Sequence, residues 1–268
     1  MDDRLTVRKT YKLYIGGEFP RSESGRSYEA DGVWAAQASR KDVRDAVRAG
    51  RSAFEAWSAR TAYNRGQILY RVAEILEGRA AQFVDEGASA GEVAAAVDRW
   101  VWYAGWADKI HQVIGTVNPV AGPYFDFTFP EPLGVVGIAA PEEAPLLGLV
   151  SRLAPALAGG NVAIALASET APRAAVTFGE VLATSDVPAG VVAILTGYKA
   201  ELLPWLASHR DVDGLDLSGA PGALVTDIER AAADNVKRVY RPADPLGESP
   251  NDIIAFLEMK TVWHPIGR

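Results

Sequence analysis

Gly134-Val135-Val136-Gly137-Ile138-Ala139-Ala140 and Val162-Ala163-Ile164-Ala165-Leu166-Ala167 are the stretches whose reading decides the fold. Between them lie a helix-length run from Pro145 to Ala158 and the stop Gly159-Gly160-Asn161. Neither strand alternates apolar with polar residues, so each reads as buried on both faces. Two such strands joined through one helix run parallel, with a right-handed crossover. The rhythm continues with a helix over 172–184, a strand at Val191 to Leu195 and a short helix at 200–207. A strand over 213–217, a helix over 221–234 and a strand at Val236 to Tyr240 complete it. The series predicts an α/β fold: an open, parallel, Rossmann-like sheet with helices on both faces.

Upstream the pattern is helical. A helix from about Ser39 carries Val43, Val47, Gly50, Phe54 and Trp57 on one face, and a second carries Ile68, Leu69, Val72, Ile75 and Leu76. A third runs from about Glu92 to Ile110, and its Trp100, with Trp102 and Trp106, reads as packing rather than a ligand cage. Residues 11–19 read as two short strands around Gly16-Gly17. Over 114–133 the character changes, and Tyr124-Phe125-Asp126-Phe127-Thr128-Phe129 alternates aromatic with polar residues, as one arm of a half-buried hairpin does. Exposed aromatic strands associate unless covered, which points to an interface. The expected division is 1–133, an N-terminal helical layer with the hairpin; 134–250, the α/β domain; and 251–268, a terminal strand.

The chain has 268 residues, with 27 Lys and Arg against 34 Asp and Glu, and a net charge of −7. That balance argues against nucleic acid as a partner. Apolar stretches are too short for a membrane span, and the Met1-Asp2-Asp3-Arg4 start has no apolar leader, so a cytoplasmic protein is expected. There is no cysteine, which excludes disulfides and thiolate metal sites. His111, His209 and His264 have no metal-ligand spacing, and no metal is expected.

Tyr14-Ile15-Gly16-Gly17-Glu18-Phe19, Ala104-Gly105-Trp106-Ala107-Asp108-Lys109-Ile110, Glu131-Pro132-Leu133-Gly134, Leu153-Ala154-Pro155-Ala156-Leu157-Ala158-Gly159-Gly160-Asn161 and Val187-Pro188-Ala189-Gly190 follow one another along the chain. In that order these segments resemble aldehyde dehydrogenases. Gly247-Glu248-Ser249-Pro250-Asn251 is similar to the family's passage into its catalytic domain. Yet Phe256-Leu257-Glu258-Met259-Lys260-Thr261-Val262-Trp263, directly after it, resembles the strand that closes the family's chain. The resemblance implies that the catalytic domain and its nucleophilic cysteine are missing, as in the incomplete second domain of family 16 aldehyde dehydrogenases.

Carried over position by position, the resemblance implies a degenerate site. The family's oxyanion amide falls on Glu143, within Pro141-Glu142-Glu143, and its general base on Asp244. Neither suits its role, because a carboxylate repels an oxyanion and Asp244 lies in a rewritten loop. The cofactor positions become Ser168, Glu169, Ser218 and Gly219, with Leu166 in place of a ribose-binding lysine and Ala220-Pro221 in the phosphate turn. Losing the lysine contact alone costs about 1.5–3 kcal/mol. No cofactor is therefore expected beyond weak NAD(P) binding.

The reading that follows is a pseudoenzyme, a structural or regulatory subunit whose partner is a full-length aldehyde dehydrogenase or a second copy of itself. Tyr124, Phe125, Phe127, Phe129, Val262 and Trp263 are its expected contacts. The alternatives are an NAD-dependent aldehyde oxidoreductase completed by a partner, and a small-molecule sensor using the old cofactor cleft through Glu142, Glu143 and Glu169.

Overall fold

Residues 7–267 are described by the computed structural model. The chain opens with β1 (Thr10–Tyr11), β2 (Ser27–Ala30) and β3 (Val33–Ala36). Helices α1 (Arg40–Ser58), α2 (Ala62–Gly78), α3 (Ala80–Asp85), α4 (Ala90–Ala107) and α5 (Ile110–Ile114) follow. α1 begins where its cap predicts: the Ser39 side chain accepts from Lys41 N, and Asp42 reaches back to Ser39 N at 2.7 Å. Gly16-Gly17 makes the expected turn, with Ile15 and Glu18 bonded to each other through their backbones. A second hairpin, β2–β3, was not foreseen. Its signal is Asp31-Gly32, both in the left-handed region at φ 50° and 66°, as a tight two-residue hairpin turn requires.

The hairpin arms β4 (Thr116–Asn118) and β5 (Tyr124–Pro132) lead into the central alternation. This comprises β6 (Val135–Ala139), α6 (Pro145–Ala158), β7 (Val162–Leu166), α7 (Pro172–Thr184), β8 (Val192–Leu195), α8 (Lys199–Ser208), β9 (Gly214–Asp216), α9 (Val225–Ala233) and β10 (Arg238–Tyr240). The five strands form one parallel sheet in the order β10-β9-β6-β7-β8. Every residue of β6 and β7 is buried, as their unbroken apolar runs demand. Helices α1 and α8 pack on one face of the sheet; α6 lies with α7 on the other, and α2 and α4 cover α6. Trp100 of α4 and Phe178 of α7 are fully buried and stack at 5.8 Å across this packing.

Three expected boundaries shift for local reasons. The helix over 92–110 breaks at Asp108-Lys109 and resumes as α5. Pro221 opens a short 3-10 turn, so α9 starts only at Val225. Val236 has φ 58° and is 90% exposed, ending α9 with a left-handed residue, so β10 starts two residues later. The chain then passes through α10 (Pro250–Ile254) into β11 (Leu257–Pro265). β11 pairs antiparallel with β5 over nine residues, from Leu257 opposite Pro132 to Pro265 opposite Tyr124. The result is a separate sheet, β11-β5-β4.

Candidate functional site

In an open parallel sheet, ligands bind outside the carboxyl ends of the strands, where successive crossovers diverge. Here those ends are Ala139 of β6, Leu166 of β7, Leu195 of β8 and Asp216 of β9. The loops after them hold Glu142, Glu143, Ser168, Glu169, Ser218 and Gly219, together with a residue that was not singled out from sequence: Lys199.

Lys199 is the first residue of α8 and only 1% exposed. A cation at a helix N-terminus opposes the helix dipole, so the position needs compensation. Its Nζ donates to Ala140 O at 2.6 Å and forms an ion pair with Glu142. The Glu142 carboxylate also accepts from Ser168 Oγ at 2.7 Å, Glu169 N at 3.0 Å and Thr170 Oγ1 at 3.3 Å. Glu169 in turn accepts from Lys199 N at 2.7 Å, capping α8. The loops after β6, β7 and β8 are thus clasped by one lysine and two carboxylates. Partial burial alone would raise the Glu142 pKa, but the hydrogen bonds from Lys199 and Ser168 and the Lys199 charge hold it below the ordinary carboxylate value. A carboxylate lowered on folding stabilises above its unfolded pKa, and the contribution disappears as pH falls through the folded one. Wild-type protein should therefore exceed Glu142→Gln in stability near neutrality, with the gap closing on acidification below the ordinary carboxylate range. Thermal melts of both across that window check this.

Glu143 is exposed and is not among the hydrogen-bond partners of the clasp. The amide corner at the start of α6 is filled instead by Glu92 of α4, which accepts from Leu146 N at 2.8 Å and Leu147 N at 3.2 Å. Asp244 is exposed in a turn, its carboxylate accepting from Leu246 N at 3.0 Å.

Ser218 belongs to a buried ionic cluster. Arg152 of α6, 1% exposed, pairs with Asp216 at 2.9 Å and with Asp252 of α10 at 3.0 Å. Burial opposes its charge, yet the two aspartates carry its pKa above the ordinary arginine value. Tyr103 and Tyr240 donate to Asp252 at 2.9 and 2.8 Å, and Ser218 donates to Asp216 through both N and Oγ. Gly219 is held by close packing: its N donates to Ala139 O at 2.8 Å, and a Cβ there would lie 2.0 Å from Ala140 O. Gly219→Ala should therefore cost about 1–3 kcal/mol through overpacking against backbone, read from urea unfolding. A neutral result would show that the turn is free to move.

The hairpin residues divide between two faces. Phe125, Phe127 and Phe129 stack in series, at 5.4 and 6.0 Å, and Val262 and Val117 lie opposite Phe127 on that same face. Tyr124 meets Trp263 edge-on at 5.7 Å on the other face. That face is polar, with Asn118 donating to Asp126 at 2.8 Å and to Thr128 at 2.9 Å. Strand alternation makes this division unavoidable, so the six expected contacts cannot form one patch.

Among the described residues no group of three His, Asp or Glu side chains stands close enough to hold a metal, and no helix is long and apolar enough to cross a membrane.

A parallel sheet in this order, covered by helices on both faces with loops converging at its carboxyl edge, defines a Rossmann-like α/β protein. The chain belongs to the aldehyde dehydrogenase family, whose model matches residues 29–242. It is 34% identical to human retinal dehydrogenase 2 over 271 aligned residues, covering 94% of this chain and 51% of that protein. To the putative aldehyde dehydrogenase DhaS of Bacillus subtilis it is 30% identical, covering 95% of this chain and 54% of the relative. Among solved structures, HpcC from Thermus thermophilus superimposes with a TM-score of 0.80 at 31% identity, over 87% of this chain and 48% of that one. The NAD+ complex of an aldehyde dehydrogenase from Bacillus cereus gives 0.79 at 26% identity, over 86% and 50%. The chain thus spans about half the length of the relatives it matches.

Proposed function

We propose that this chain is a non-catalytic aldehyde dehydrogenase homologue that acts as a structural or regulatory subunit of a full-length aldehyde dehydrogenase. The observation that carries the reading is the β11-β5-β4 sheet. β11 pairs only with β5, so its outer edge is open along nine residues among those described. Beside that edge lies an apolar face where Phe125 is 46% and Val117 66% exposed. Open edges and aromatic faces are association surfaces unless something covers them.

Two further observations support a non-catalytic role. With no cysteine in the 268 residues, no thiolate is available to attack an aldehyde. The crevice residues, moreover, do not fit a nicotinamide dinucleotide. Lys199 is clamped by Glu142, Glu169 is engaged by α8, Ser218 donates into Asp216, and Pro221 offers no N–H.

The test is co-expression with full-length aldehyde dehydrogenases of the same cell, read by native mass spectrometry and NAD titration. A fixed-ratio complex is expected, with a flat NAD titration for this chain alone. Phe127→Ala and Val262→Ala should each weaken the complex by about 2 kcal/mol, roughly thirtyfold. A complex indifferent to both removes the interface assignment. Saturable NAD binding by the isolated chain favours a composite enzyme instead.

A further inference from the structure

At the opposite end of the sheet from Lys199, a cavity of about 500 Å³ opens between the α1–α2 connection, the base of β5 and β11, and Gly159 before β7. That volume falls in the range of small-molecule sites. Phe54, Ile110, Phe129, Pro132 and Leu257 supply apolar walls, and Arg65 of α2 lines it from below.

Arg65 is 6% exposed, yet it has no carboxylate partner among the described residues. Its hydrogen bonds all leave from Nη1, to Arg60 O at 2.6 Å and Ser58 O at 3.4 Å, and Nε has none. The other buried arginine, Arg152, has two aspartates. Burial without a counter-charge pushes the Arg65 pKa down. A buried guanidinium that lacks an anion is costly, and Nη2, which has no partner among the described residues and is not sealed from solvent as Nε is, is left to donate to a carboxylate. Nothing else in the wall neutralises it. Glu131 is already paired with Lys260 at 2.9 Å, and Arg60, donating to Asn64 at 2.8 Å, leaves the rim positive.

We propose that this cavity binds a small organic monocarboxylate, its carboxylate on Arg65 and its apolar body between Phe54, Ile110 and Phe129. A single buried guanidinium beside the Glu131 carboxylate suits one negative charge and disfavours a phosphate dianion. The site shares Phe129 with the aromatic face of the subunit reading but uses neither the open edge of β11 nor the exposed Phe125 and Val117.

Octanoate, octanamide and octyl phosphate are the probes, titrated into the full chain by calorimetry, with the Arg65 Nε–H resonance followed by NMR. Octanoate should saturate and shift that resonance, with nuclear Overhauser contacts to Phe54 and Ile110. Octanamide and octyl phosphate should bind at least about tenfold more weakly, and Arg65→Gln should lose a similar factor for octanoate. The wild-type comparison of octanoate with octanamide decides the matter even where Arg65→Gln fails to fold. No saturation with octanoate, equal binding of octanamide, tighter binding of octyl phosphate or an unmoved Nε–H resonance overturns the proposal.

Discussion

Arg152→Ala should cost about 3–5 kcal/mol of folding stability, because it strands two buried aspartates without a counter-charge. Asp216 is fully buried and Asp252 is 3% exposed, and both direct oxygens at the guanidinium. Arg152→Met separates charge from volume. It fills most of the same space and should be nearly as damaging, since the uncompensated carboxylates remain. Replacing all three charges with apolar residues of similar size should recover much of the loss. Urea unfolding followed by tryptophan fluorescence measures each variant. A loss below about 1 kcal/mol for Arg152→Ala would mean that water reaches the cluster. The cluster also anchors α10, and hence the entry into β11, so the alanine variant should loosen the three-stranded sheet before the parallel one.

Trp100→Ala is the second large effect, at about 3–5 kcal/mol for a fully buried aromatic. Trp100 packs against Phe178 between α4 and α7, and its indole N–H has no partner. The loss is therefore one of packing rather than of a hydrogen bond, and Trp100→Phe should recover part of it. Chemical denaturation reads both variants. An alanine variant as stable as wild type would reopen the idea that Trp100 lines a ligand cage.

The parallel sheet was legible because its signal is local. Continuous apolar runs, glycine stops and helix-length spacers each declare themselves within a few residues, and the observed elements fall within about two residues of them, except that α9 starts four residues late, at Val225. The clasp was not legible, because its members come from three separate loops, at Glu142, Ser168-Glu169 and Lys199. One clue was present: a lysine opening a helix violates the dipole preference, and such a local conflict marks a residue held by something distant. Arg152 gave a similar clue, as a lone charge within the apolar run from Pro145 to Ala158. Arg65 gave none. An arginine in the first turn of a helix reads as solvated, and only the packing of β5 and Gly160 around it reveals its burial. The division of the hairpin aromatics between two faces, by contrast, follows from strand alternation and was available from the sequence.

The pairing of β5 with β11 sets a timetable for synthesis. Roughly 125 residues separate Pro132 from Leu257 across the ladder, so at about 5–20 residues per second β5 waits on the order of ten seconds for its partner to leave the ribosome. Through that interval Phe125, Phe127 and Phe129 have the three-residue β4 as strand partner. The five strands of the parallel sheet, meanwhile, have all been synthesised by Tyr240. Chaperone demand should therefore peak after the parallel strands are made, and slowing the ribosome between Tyr240 and Leu257 would lengthen the exposure of an aromatic strand beside them.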